Sequence, residues 1–143
     1  PLRPPWTTEA ALLSACTGCG DCARACPAGI IAMGAGNHPE IRFDKGECTF
    51  CGLCAESCAA DVFDLARPAF RHAISIGENC LSRRGTECRA CQDACPEAAI
   101  RFRPRLGGSA EPVLDGSLCT GCGACLAPCP VDAIRAVMEA AHA

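Results

Sequence analysis

Sixteen cysteines stand in four sets of four: Cys16, Cys19, Cys22 and Cys26; Cys48, Cys51, Cys54 and Cys58; Cys80, Cys88, Cys91 and Cys95; Cys119, Cys122, Cys125 and Cys129. None is left over. Sets one, two and four read CxxCxxCxxxC, and set three keeps that frame except for a seven-residue first gap, Leu81 to Glu87. Three thiolates at i, i+3 and i+6 on a tight loop can converge on one face of a [4Fe–4S] cubane. Zinc also takes all-thiolate sites, but it needs two CxxC pairs per tetrahedral ion, and the repeated three-plus-one frame argues against it. Disulfides fit worse, since cysteines three apart in succession are poorly placed for unstrained bridges, and eight bridges would need an oxidising compartment. The chemistry expected of such residues is electron transfer through four [4Fe–4S] clusters.

The fourth cysteine of each set is expected on a helix that carries its sulfur away from the loop and toward another cluster. In two-cluster ferredoxins it ligates the neighbouring cluster. With repeats paired one with two and three with four, the first cluster takes Cys16, Cys19, Cys22 and Cys58, and the second takes Cys48, Cys51, Cys54 and Cys26. The third takes Cys80, Cys88, Cys91 and Cys129, and the fourth takes Cys119, Cys122, Cys125 and Cys95. Gly18, Gly20, Gly52, Gly121 and Gly123 suit loops that wrap closely and bring amides near sulfur. Pro27, Pro96 and Pro130 follow the fourth cysteine in three repeats, fixing the chain's exit; Ala59 stands there in repeat two.

The elements that must position these loops repeat with them. Cys16 to Cys48 spans 32 residues, Cys48 to Cys80 another 32, and Cys80 to Cys119 spans 39. Each unit reads as a strand, a cysteine loop, a short helix begun near the third cysteine, and a second strand. Strands are expected at Glu40 to Asp44, Ala73 to Ile76 and Pro112 to Asp115. Ile30 to Met33 should form a hairpin with Ile41 to Phe43, and Ile100 to Arg103 with Val113-Leu114 about Gly107-Gly108. Thr7 to Leu13 and Ala133 to Ala143 read as helices, with Thr7 or Thr8 as a cap. Asp64 to Arg71, with Pro68, reads as a boundary, although Val62-Phe63 could instead pair with Ile74 to Ile76. The expected fold is α+β: two tandem bacterial-type 2[4Fe–4S] ferredoxin-like domains, residues 1–66 and 67–143, with small cores stapled by clusters.

Composition agrees with stapling. The 143 residues include 5 Phe, 1 Trp and no Tyr, so little large apolar area is available to bury. Formal charge is -3, and each oxidised cluster with its four thiolates adds roughly -2, giving about -11 for the loaded protein. That balance disfavours nucleic acid. Arg83, Arg84 and Arg89 near set three read as a solvated loop, with a basic patch for an acidic partner as the other reading. No apolar stretch is long enough to span a bilayer. The sequence begins at Pro1 and not at Met, so the lack of a visible signal segment decides nothing about what precedes it.

No arrangement of nucleophile and base is visible. His38, His72 and His142 fall in a turn, a linker and a tail, and none resembles a catalytic base, so no enzyme activity is expected. His72 reads as a surface histidine, or as a group near a cluster. Trp6 reads as an anchor for the N-terminus.

At the level of the frame, Cys16 to Cys129 resembles bacterial-type ferredoxin repeats. A narrower resemblance runs through Arg3-Pro4-Pro5-Trp6, Glu47-Cys48-Thr49-Phe50-Cys51, Ser75 to Cys80 with its long gap, Cys91-Gln92-Asp93 and Ile100 to Pro104. Together they are similar to the NapF family, ferredoxin-type accessory proteins of the periplasmic nitrate reductase system. The resemblance implies a cytoplasmic bacterial protein that acts on the precursor of the nitrate reductase catalytic subunit before export, by electron transfer or cluster assembly. A general soluble polyferredoxin and a metal-stapled docking protein are the competing expectations.

Overall fold

In the computed structural model, which describes residues 2–138, short elements alternate with the cysteine loops. Helix α1 is Glu9–Ala15, α2 Asp21–Ala25, α3 Leu53–Ser57 and α4 Ala90–Ala94; strands are β1 Ile31–Met33, β2 Pro39–Ile41, β3 His72–Ile76, β4 Ile100–Arg105, β5 Gly108–Leu114 and β6 Ile134–Met138. Thr8 caps α1, its hydroxyl accepting from the Ala11 amide at 3.1 Å, and Arg3 holds Glu9 in the first turn at 2.6 Å. Helices α2 to α4 have five residues each, too few to stand alone, so the loops around them must hold them in place. No helix among the described residues is long and apolar enough to cross a membrane.

Two compact units divide between Arg71 and His72. In the first, β1 and β2 pair antiparallel with Ile31 opposite Ile41, and Leu12, Ile30, Ile31, Ile41, Phe43 and Val62 are buried. Val62 is buried outside any strand. Four of the six aromatic side chains also pack here edge to face, Trp6 on Phe50 at 6.4 Å, Phe50 on Phe70 at 6.0 Å and Phe70 on Phe43 at 6.1 Å. The Trp6 backbone donates to Ala69 and accepts from Asp64, both at 2.8 Å, so the segment after Val62 folds back onto the N-terminus.

In the second unit, β4 and β5 form the hairpin expected about Gly107, whose φ of 74° makes the turn. Ile74, Ile100, Phe102, Ala110 and Ile134 form its core with Cys91 and Cys125. The helix expected from Ala133 is not what forms: Ile134–Met138 is strand β6, paired antiparallel with β3 so that Ile76 faces Ile134 and Ile74 faces Ala136. β-branched Ile134 and Val137 find an open edge on β3, and that pairing overrides the helix preference of the alanines. Residues 139–143 lie outside the described residues. The alternative strand match of Ile74 to Ile76 with Val62-Phe63 does not form: among the described residues β3 pairs only with β6, and residues 62–63 lie in no strand.

Candidate metal centres

Two backbone positions shape each CxxCxxC loop. The residue before the second cysteine is left-handed in sets one, two and four, Gly18 at φ 74°, Phe50 at 58° and Gly121 at 79°, and so is the one after it, Gly20, Gly52 and Gly123, at 77–81°. Phe50 shows that the turn demands this conformation even of a side chain that resists it. The second left-handed residue caps the short helix that carries the third cysteine, Gly20 for α2 and Gly52 for α3. Set three departs, with Arg89 at φ -133° in that role. Its seven-residue gap folds into a turn of its own, Thr86 bonding back to Leu81 at 2.8 Å, and the buried Ser82 hydroxyl donates to the Ala110 carbonyl of β5. The arginines nearby pair locally, Arg83 with Glu78 at 3.0 Å and Arg89 with Glu87 at 3.4 Å.

The fourth cysteine does not sit on a helix as expected. Cys26, Cys58 and Cys95 are the residues at which α2, α3 and α4 end, each extended, with ψ 111–112°. A second regularity went unread in the sequence. Three residues after each fourth cysteine the chain is left-handed again, at Gly29, Asp61, Ala98 and Asp132. The turn aims the following amide back at the sulfur: Ala99 donates to Cys95 Sγ and Ala133 to Cys129 Sγ, both at 3.3 Å. Gly and Asp at three of these positions were the available signal, and Ala98 gave none.

These loops bring the thiols together across repeats. One cavity, of about 360 Å³ and partly open, is lined by Cys16, Cys19, Cys22 and Cys58 with Leu12 and Val62. A second, about 350 Å³, is lined by Cys48, Cys51, Cys54 and Cys26. A third, about 330 Å³, is lined by Cys119, Cys122, Cys125 and Cys95 with Ile74, Ile100 and Leu114. The Cys91 thiol feels the charges of Cys80 and Cys129. Burial pushes the thiols of Cys54 and Cys125 up to about 12 and Cys91 to about 11, and neighbouring thiolates push the same way. Four thiolates in such an apolar pocket need a cationic core to be stable. Thiols spread around a cavity, with amides turned toward sulfur, fit a [4Fe–4S] cubane.

The His72 ring, half-buried, bonds through Nε2 to the Gly121 carbonyl at 2.8 Å, and burial holds its pKa below the usual value.

Residues 15–62 and 85–133 match the family model of the 4Fe–4S dicluster domain. The first segment contains all of sets one and two, whereas Cys80 precedes the second, beyond the long gap. The chain is 49% identical over 135 residues to the ferredoxin-type protein NapF of Haemophilus influenzae, covering 93% of this chain and 77% of that protein. It is 44% identical over 143 residues to the ferredoxin-type protein NapF of Escherichia coli, covering 99% and 87%. Ferredoxin-type protein NapG of Escherichia coli is more distant, 29% identical over 155 residues.

Proposed function

Because the chain belongs to the NapF family of ferredoxin-type proteins, with 4Fe–4S dicluster segments in both halves, we propose that it holds four [4Fe–4S] clusters in two tandem α+β ferredoxin-like domains and works in the cytoplasm on the precursor of the periplasmic nitrate reductase catalytic subunit. There it transfers electrons or assists cluster assembly, with no catalytic site of its own. The observation that carries the cluster reading is the composition of the cavities, each with three cysteines of one loop and the fourth of the neighbouring repeat. The ligand sets these cavities support are Cys16, Cys19, Cys22 with Cys58; Cys48, Cys51, Cys54 with Cys26; and Cys119, Cys122, Cys125 with Cys95; by the same repeat logic the remaining set is Cys80, Cys88, Cys91 with Cys129.

When bound, such clusters supply one-electron chemistry at potentials set by hydrogen bonds to sulfur and by exposure. The chain's part is to hold the thiols, exclude water with Leu12, Ile30, Ile74 and Ile100, and aim amides such as those of Ala99 and Ala133 at sulfur. The partner is tested by anaerobic co-purification with a tagged, leader-bearing precursor of the catalytic subunit. Retention of this chain by the precursor, and not by the exported form, is expected. Reduction of unrelated ferredoxin-dependent enzymes with no retention by the precursor would instead make it a general carrier.

A further inference from the structure

Sets one and four share a loop sequence, Cys16-Thr17-Gly18-Cys19 and Cys119-Thr120-Gly121-Cys122. In both, the glycine is left-handed and its carbonyl turns out of the loop to meet a side chain from elsewhere. Asn37 donates from Nδ2 to the Gly18 carbonyl at 2.9 Å, from the turn between β1 and β2. His72, the first residue of β3, lies 2.8 Å from the Gly121 carbonyl through Nε2. A carbonyl only accepts, so Nε2 carries the hydrogen and the tautomer of His72 is fixed. We propose that Asn37 and His72 are positioning residues for the clusters of sets one and four, clamping by its carbonyl the left-handed glycine that precedes the second cysteine of the loop.

The glycine's own amide is the reason the clamp matters. In set two the equivalent Phe50 N–H donates to Cys48 Sγ at 3.4 Å, and in set four the Gly121 N–H works against the burial that pushes the Cys119 thiol up. Hydrogen bonds to cluster sulfurs favour the more negative, reduced state and raise the potential. Fixing the carbonyl holds the peptide plane after the glycine and, through the glycine's left-handed φ/ψ, the turn that aims its own amide at the sulfur. Set two reaches the same end by packing, the Phe50 ring held between Trp6 and Phe70. Set three has its seven-residue gap in place of the Thr-Gly pair. A Cβ on Gly18 would overlap the Asn37 amide, so the glycine leaves room for the clamp as well as supplying the turn. Turn geometry alone accounts for an asparagine at φ 61°. It does not account for the amide reaching a carbonyl 19 residues away.

The proposal rests on the cluster reading above, and its test keeps the two apart. The full chain is purified anaerobically as the parent, as His72→Gln, which retains a donor at similar reach, as His72→Phe, which keeps bulk without one, and as Asn37→Gly, which keeps the turn and stays uncharged. Redox titration followed by EPR and iron release to a ferrous chelator are measured. His72→Phe is expected to lower the midpoint potential of one cluster and to release about a quarter of the iron roughly tenfold faster, the effect of one hydrogen bond. His72→Gln should stay near the parent, and Asn37→Gly should do the same to a different cluster. Unchanged potentials and release in both His72→Phe and Asn37→Gly would overturn the clamp, as would an equal effect on every cluster. A parent without iron and sulfide would overturn the cluster reading instead. If His72→Phe does not fold, Asn37→Gly, in an exposed turn, decides the matter.

Discussion

The fourth cysteine of each repeat shows how a single backbone angle redirects chemistry. Cys26 closes α2 at ψ 111°, and its thiol lines the cavity of Cys48, Cys51 and Cys54. Replacing Cys26 by Ser should therefore cost the second cluster, about a quarter of the iron, and give the spectrum of Cys51→Ser. Coincidence with the spectrum of Cys19→Ser would contradict the exchange. The grouping of the sulfurs into four sets was legible from spacing alone. The reason for the redirection was not, because a helix was expected where the chain is extended, and among the left-handed residues that follow only Ala98 leaves no mark in residue type, the Gly and Asp at the other three being a signal that went unused. Phe50 makes a second point at this scale. Its φ of 58° strains the backbone while its ring is held by Trp6 and Phe70. Both Phe50→Gly and Phe50→Ala lose the ring, but only Gly relieves the strain, so Phe50→Ala should unfold more easily by about 1 kcal/mol. Equal stabilities in chemical unfolding of the loaded proteins would remove the strain from the account.

Among the elements, the hairpins were the readable part, since Gly107 and the Gly34 to Pro39 turn sit between β-rich runs, and β1 to β2 and β4 to β5 pair locally. Strand β6 was not readable. An alanine-rich C-terminal segment favours a helix, and only the edge of β3, some sixty residues earlier, makes it a strand. Ile134 is 2% exposed within the second unit's core, whereas Val137 is 44% exposed. Ile134→Ala should cost about 2–5 kcal/mol and Val137→Ala within about 0.5 kcal/mol. Thermal unfolding of the two variants side by side checks this, and equal losses would mean that β6 does not face the core as described.

For the molecule as a whole, each unit buries a handful of aliphatic side chains and holds a cavity ringed by thiols from both of its repeats. Clusters held there would crosslink the repeats and make metal binding and folding one process. Removing iron with a chelator under anaerobic reducing conditions should abolish the circular dichroism of both units, and native-like structure in the iron-free chain would show that the apolar cores suffice. The most direct test of the account is iron and acid-labile sulfide analysis of the anaerobically purified protein, with low-temperature EPR of its reduced form. About sixteen irons and sixteen sulfides per chain, with signals of interacting [4Fe–4S] clusters, are expected from four cubanes. A protein that binds zinc and contains no sulfide would contradict it.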